Sequence, residues 1–388
     1  MKPFYRILVA LIVASFVLAA CGKATEVPMV TEVPTVAPVV TEAPTAAPVV
    51  EVTVEDCPKA EVICVGQVTD VGKVTDKSFN QSTWEALQQA KEDGLVQLVQ
   101  YIETSDSKDY LKNMQTFGDG GFDIIVTTGF NAGEASIEAA KTYPDIIFFA
   151  VDQPAFLFTP AGETTPANFT GVAYQEDKSG FLVGALAAMM SQSHSIGGIA
   201  GCSFIPPVWR FGEGYKAGAA YADANFAALA GTTTEVNVVY HDDVGIEKCF
   251  TDPEWGKTTA ASMLDKGTDV IFGIGGTTGN AGVVESTARG KFGIGVDKDQ
   301  YFELIEAQPY MLSSAMKNMK LDVYNLIKMA VEGTAPGGTD YAGTNGYAPY
   351  HDTESIIPDD VKAMMETIYA GLLDGSILTN VPPVKPTE

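Results

Sequence analysis

Short runs of β-branched and aromatic residues alternate along the chain with longer stretches of helical periodicity. From Ala60 onward EVICVGQVT, LVQYIE, FDIIVTTG and IIFFAVD read as strands, and between them SFNQSTWEALQQAKEDG, DYLKNMQTFGDGG and NAGEASIEAAKTYP read as helices. Alternation of this kind predicts βαβ units on a parallel sheet. The pattern starts again after Pro166 with FTGVAYQ, GFLVGALAAMMSQ, SIGGIAGCSF, RFGEGYKAGAAYADA, EVNVVYH, GKTTAASMLDKG, DVIFGIGG, NAGVVESTARG and FGIGVD, so two α/β domains of comparable size are expected. Past Asp297 a helix DQYFELIEA, a strand MLSSAMK and a long helix LDVYNLIKMAVEG exceed what two simple halves need. The chain is therefore expected to cross between the domains again.

The first sixty residues follow no such pattern. Residues 1–20 begin with Lys2 and Arg6, continue through ILVALIVASFVLAA and end in Leu18-Ala19-Ala20 before Cys21, a secretion signal by composition. The junction resembles a bacterial lipobox, which implies that Cys21 becomes the first mature residue and carries lipid, giving an anchor in place of a membrane span. Residues 21–56 are a Pro-, Thr- and Val-rich run without large aromatics. It cannot build a packed core and reads as a semi-extended spacer.

At 388 residues and 46% hydrophobic composition the rest suffices for two buried cores. The formal charge of −25 drops further once Lys2 and Arg6 are removed, which repels phosphate backbones and argues against nucleic acid as a partner. Cys57, Cys64, Cys202 and Cys249 remain after the lipobox, and their three possible complete pairings stay open. No Cys-x-x-Cys pair occurs, and His194, His241 and His351 stand far apart, so neither a metal site nor a cofactor is expected. There is no GxGxxG, no GxxxxGK[ST] and no GxSxG, which leaves little ground for nucleotide-phosphate binding or a serine nucleophile.

What the pattern does offer is a row of strand ends. Asp70, Gly129, Asp152, the glycine-rich stretch Gly275 to Asn280, and Asp297 each close a strand, where parallel sheets bind ligands. Any one of these acids could be only a helix cap or a solvated turn. The aromatic candidates are Phe79, Trp209 and Phe211; Trp209 reads equally well as core. Ser78 reads as a helix cap, and Asp76 as a structural residue of its loop.

Asp70 through Asn80, the run FTGVAYQEDKSGFLVGALAA, PPVWRFGEGYKAG, GVDKDQ and SSAMK together resemble the basic membrane protein family of bacterial substrate-binding lipoproteins, over roughly residues 61–333. The branch it looks like binds purine nucleosides. The resemblance implies a type I periplasmic-binding-protein fold, two doubly wound parallel-sheet lobes joined by a multi-strand hinge. Lobe I is expected over 61–170 plus about 298–318, and lobe II over 171–297 plus about 319–380. It further implies a monomer on the outer face of the cell membrane that hands inosine, adenosine, guanosine or a similar nucleoside to an ABC permease, without enzymatic activity.

By the same resemblance Phe79 and Phe211 clamp the base, Asp297 and Lys317 take the ribose, Asp70 and Asn80 meet the base edge, Asp152 faces the cleft, and Gly276 lies in the loop bordering it. Three departures from the family pattern stand out: Thr75, the lengthened GGTTGNAG, and Gln153-Pro154 after Asp152. Another small polar ligand or a sensing role is the alternative on the same scaffold. A surface adhesin or an α/β hydrolase is the alternative of another class.

Overall fold

The computed structural model describes residues 52–386. The signal segment 1–20 and Cys21 lie outside the described residues, as does the linker up to residue 51. The last linker residues are not spacer: Val54–Asp56 form a helical turn, and Val52 and Val54 pack on the core of the first lobe. Cys57, one residue on, is disulfide-bonded to Cys64.

Two six-stranded sheets hold the fold. The first contains β1 (Cys64–Val71), β2 (Leu98–Thr104), β3 (Ile124–Thr128), β4 (Ile147–Val151), β5 (Phe169–Ala173) and β11 (Thr339–Ala342), in the order β11-β5-β4-β3-β1-β2. The second contains β6 (Ser195–Ala200), β7 (Glu235–Tyr240), β8 (Val270–Ile274), β9 (Phe292–Asp297), β10 (Met311–Lys317) and β12 (Asn345–Tyr347), in the order β12-β10-β9-β8-β6-β7. The orders match strand for strand, β1 with β6 through β5 with β10. Every pairing is parallel except β12 on β10. The central strands are buried along their length, as parallel strands covered on both faces must be.

Helices α1 (Phe79–Glu92), α2 (Tyr110–Asp119) and α3 (Gly133–Thr142) flank the first sheet. The second carries α4 (Glu176–Met190), α5 (Pro206–Asn225), α6 (Pro253–Asp265) and α7 (Gly276–Ala288). Helices α4 and α5 touch backbone to backbone: a Cβ on Gly180 or Gly184 would strike α5, and one on Gly214 or Gly218 would strike α4. That close approach fixes where Phe211 stands.

The chain crosses between lobes at Tyr174–Gln175, at Asn318 and at Gly343–Thr344. The expected allocation is reversed for 298–318 and for 319–342, while 345–380 lies with the second lobe as expected. Strand β10 adds beside β9 in the second sheet and is buried along nearly its whole length, its serines and Lys317 included. Helix α8 (Met319–Val331) then lays Met319, Val323, Leu326 and Ile327 against Val65, Val126 and Phe149 of the first lobe. That spacing is one helical face, and β11 follows it into the first sheet. Helix α9 (Asp359–Asp374) returns to the second lobe through Val361, Met365 and Ile368.

Candidate functional site

The carboxyl ends of both sheets face one cavity of about 210 Å³. All eight residues expected at a ligand site line it: Asp70, Phe79, Asn80, Asp152, Phe211, Gly276, Asp297 and Lys317. Trp209 is buried but does not line it.

On the first lobe, the β1–β2 register breaks between Val68 and Val71, and Asp70 sits at that irregularity. Its backbone N–H donates to Asn80 Oδ1 at 2.9 Å and Thr128 Oγ1 at 2.8 Å. Its carboxylate accepts from the Val71 N–H at 2.8 Å and from the Tyr110 hydroxyl. Burial pushes Asp70 up to about 6, against the pull of those two donors. Gly129, at φ 99°, leaves the room the carboxylate occupies.

The turn before α1 corrects one expectation. Ser78 makes no side-chain cap. The cap is Asp76, whose carboxylate accepts from the N–H groups of Ser78, Asn80 and Gln81 at 2.9, 2.9 and 3.1 Å, while Gln81 Oε1 accepts in return from the Lys77 N–H. Burial pushes Asp76 up to about 7 despite those three donors. Freed from capping, the Ser78 hydroxyl donates across the cleft to Asp297 Oδ2 at 2.6 Å.

Asp152 after β4 and Asp297 at the end of β9 occupy matching places in the two lobes. Both have left-handed backbones, φ 63° and 68°, an uncommon conformation stored mostly at functional sites. Between them lies Lys317, with Nζ 2.6 Å from Asp152 Oδ2 and 3.1 Å from Glu176 Oε1. The same ammonium is 5.4 Å from the Phe79 ring centroid, 5.3 Å from that of Phe211 and 5.4 Å from that of Tyr174. It therefore sits within cation–π reach of both rings expected to form the clamp.

Burial alone would lower the Lys317 pKa, but Asp152, Glu176 and Asp297 together raise it. Burial pushes Asp152 up to about 7 against the attraction of Lys317, and its Oδ1 is left without a hydrogen-bond partner. Asp297 is raised for the same first reason, opposed by Lys317 and by the Ser78 hydroxyl. One buried ammonium thus faces more carboxylate than it can neutralise, an arrangement suited to a ligand that brings hydrogen-bond donors.

Three contributors escaped the sequence reading. Glu176, in the first turn of the apolar helix α4, is nearly inaccessible and bridges Lys317 to Arg210. Phe130 and Phe250 add two more rings to the cavity wall. The glycine after β3 could have pointed to Phe130; nothing in the pattern around Phe250 marks it. The cysteines pair as Cys57–Cys64 and Cys202–Cys249. Among the described residues no cluster of His, Cys, Asp and Glu could hold a metal ion, and no helix is long and apolar enough to cross a membrane.

A family model described as ABC transporter substrate-binding protein PnrA-like matches residues 63–346, which is most of the chain and both lobes. The chain belongs to the Bmp family. This Bmp protein is accordingly a substrate-binding protein of an ABC transporter. It is 27% identical over 332 residues to the CD4+ T-cell-stimulating antigen of Listeria monocytogenes, covering 81% of this chain and 87% of that one. The ABC transporter nucleoside-binding protein BmpA of Lactococcus lactis is 29% identical over 289 residues, 70% of this chain and 76% of the relative. Among solved structures, a solute-binding protein of an ABC transporter system from Aeropyrum pernix superposes with a TM-score of 0.68 at 25% identity, covering 81% of this chain and 92% of that one. The fold is the type I periplasmic-binding fold, two parallel-sheet α/β lobes.

Proposed function

We propose that this Bmp protein captures a purine nucleoside between its lobes and delivers it to the permease as a monomer held outside the cytoplasm by lipid on Cys21. The observation that carries the reading is the juxtaposition of Phe79 and Phe211 around Lys317, with Asp152 and Asp297 on either side. Flat aromatic walls suit a base, because stacking contributes to lobe closure directly. A carboxylate accepts neighbouring hydroxyls while an ammonium donates to sugar oxygens, which suits a ribose.

In this reading Asp297 and Lys317 take the ribose, and Asp70 and Asn80 meet the base edge. Asp152 neutralises Lys317, and Gly276 lets α7 approach the ligand. The nucleoside-binding name of the Lactococcus relative supports the ligand class, and an uncharacterized lipoprotein of Pyrococcus abyssi, 29% identical over 292 residues, supports the anchor. A site for plain sugar would not need two rings reaching the same ammonium.

The test is native mass spectrometry of protein purified without added ligand, followed by titration calorimetry with inosine, guanosine and adenosine. Binding of at least one of them is expected, and it should weaken in Phe79→Ala. Failure of all three to bind sinks the ligand class; unchanged affinity in Phe79→Ala sinks the site map. Labelling of the mature N-terminus with a fatty-acid probe, lost in Cys21→Ala, checks the anchor.

A further inference from the structure

Phe250 reaches the cleft from an unexpected place. It belongs neither to a strand end nor to a regular helix but to the turn between Ile246–Cys249 and α6, after the edge strand β7. Three glycines vacate the space it fills. A Cβ on Gly201 would come within 2.5 Å of the Phe250 ring, and one on Gly275 within 2.8 Å. A Cβ on Gly276 would meet the Phe250 carbonyl oxygen at 2.6 Å. These glycines sit at the carboxyl ends of β6 and β8, so the strand ends are pared back to admit a ring from elsewhere.

The matched lobes make the substitution explicit. After β3 the first lobe has Gly129 at φ 99° followed by Phe130, which lines the cavity itself. After β8 the second has Gly275 at φ 111° followed by Gly276, which has no side chain, and Phe250 stands against both. One lobe grows its aromatic wall from its own loop; the other borrows it.

A borrowed ring must be held. The Phe250 carbonyl accepts from the Thr278 N–H at 3.3 Å and from Thr277 Oγ1 at 3.0 Å. The Cys202–Cys249 disulfide joins the residue after Gly201 to the residue before Phe250, and both cysteines are fully buried. The bridge therefore fixes Phe250 to the floor the three glycines leave open. The loop between β7 and this turn is exposed at Asp242, Asp243 and Gly245, while His241 stacks on Trp255 and Val244 packs on the lobe's core.

We infer that Phe250 is a selectivity-determining wall of the ligand cleft and that the Cys202–Cys249 disulfide is its positioning element. The wall favours ligands with a flat apolar group over plain sugars; the inference rests on the proposed nucleoside reading for its probe. At the mouth, the residue after Phe250 meets the first lobe: Thr251 Cγ2 lies 3.8 Å from where a Gly72 Cβ would stand. Loss of the ring would open the cavity beside that contact.

A double-mutant cycle tests the inference, with inosine, guanosine and adenosine as probes in calorimetry. Phe250→Ala is expected to weaken nucleoside binding about tenfold, with Phe250→Tyr recovering most of it. Cys202→Ser with Cys249→Ser is expected to weaken binding about fivefold when Phe250 is present and not further in Phe250→Ala, since coupled groups are not additive. Without any ligand, hydrogen exchange at the Thr278 amide should accelerate in the double serine variant, while slow-exchanging amides of β3 and β4 keep their protection.

Unchanged affinity in Phe250→Ala, with wild-type binding intact, overturns the wall alone. Equal losses from the serine pair in both backgrounds, or unchanged Thr278 exchange, overturns the positioning role. Wild-type protein that takes none of the three nucleosides overturns the nucleoside reading and the stated ligand class of the wall, and the exchange measurement still decides the disulfide's part.

Discussion

Replacing Asp76 by alanine removes the acceptor shared by three backbone N–H groups at the start of α1, those of Ser78, Asn80 and Gln81. Orphaned buried donors cost about 1–3 kcal/mol each, and the Gln81 N–H is only part-buried and can turn to water, which holds the gross loss to roughly 3–5 kcal/mol. Against it stands relief from burying a charge, since burial pushes Asp76 up to about 7. A carboxyl whose folded-state pKa lies above its unfolded value stabilises most at low pH, and that contribution is lost as pH rises through the folded pKa. Between pH 5 and pH 8 the wild-type protein should therefore lose roughly 2–3 kcal/mol through this one group, which the alanine variant cannot lose. The expected destabilisation is about 3–5 kcal/mol at pH 5 and only about 1–2 kcal/mol at pH 8. Urea unfolding of both proteins at the two pH values, followed by tryptophan fluorescence, measures it. A penalty equal at both pH values, or larger at pH 8, refutes the argument that Asp76 is a buried cap holding its proton near neutrality.

Three further outcomes are expected. Asp297→Asn should weaken nucleoside binding at least about tenfold in calorimetry, by removing a charged acceptor, while leaving the ligand-free thermal midpoint unchanged or higher because a buried charge is gone. Lys317→Met strands Asp152 without its counter-ion, leaves Glu176 to Arg210 alone, and should cost about 3–5 kcal/mol in urea at pH 8, and less at pH 5, since burial raises the Asp152 pKa and the carboxyl takes up a proton there. Gly276→Ala sets a Cβ 2.6 Å from the Phe250 carbonyl on a backbone at φ 53°, and a loss of about 2 kcal/mol or more in the same assay is expected.

What could be read from the sequence was what periodicity and strand ends encode. The runs that became β1, β3, β4, β8 and β9 are short, β-branched and bounded by Gly or Asp, and the residues at or just past their ends proved to be cavity residues because a parallel sheet presents those ends together. The roles of Phe211 and Lys317 came from family resemblance, since neither an aromatic inside a helix nor a lysine ending a strand marks itself. The late crossings were misjudged because periodicity identifies β10 and α8 but not which sheet face each will cover; only the match of Met319, Val323 and Leu326 to the first lobe decides it. Glu176 was missed because an acid in a first turn is ordinary helix chemistry, and only the fold brings it to Lys317. Ser78 and Asp76 were exchanged as caps because both suit the position, and the choice turns on a partner in the other lobe.

That partner explains why so many lobe-to-lobe contacts converge on one turn. Ser78 Oγ reaches Asp297, Asn280 Nδ2 donates to the Asp76 carbonyl at 3.1 Å, and Gln300 Nε2 donates to the Lys77 carbonyl at 2.7 Å and to Asn280 Oδ1 at 2.8 Å. Lys77 holds a left-handed backbone at φ 60°, a strain compensated by the Gln300 bond from the second lobe. Two and three residues on stand Phe79 and Asn80, the ring and the amide at the cavity. One short segment thus carries lobe-to-lobe bonds, on its backbone and on the Ser78 side chain, beside two side chains that line the cavity. The Asp76 and Lys77 carbonyls accept from Asn280 and Gln300 of the second lobe immediately before the ring that lines the cavity. Five consecutive residues, Asp76 to Asn80, therefore set the lobe-to-lobe bonds next to the cavity, with the Asp76 carboxylate bracing the turn through the Ser78 and Asn80 N–H groups.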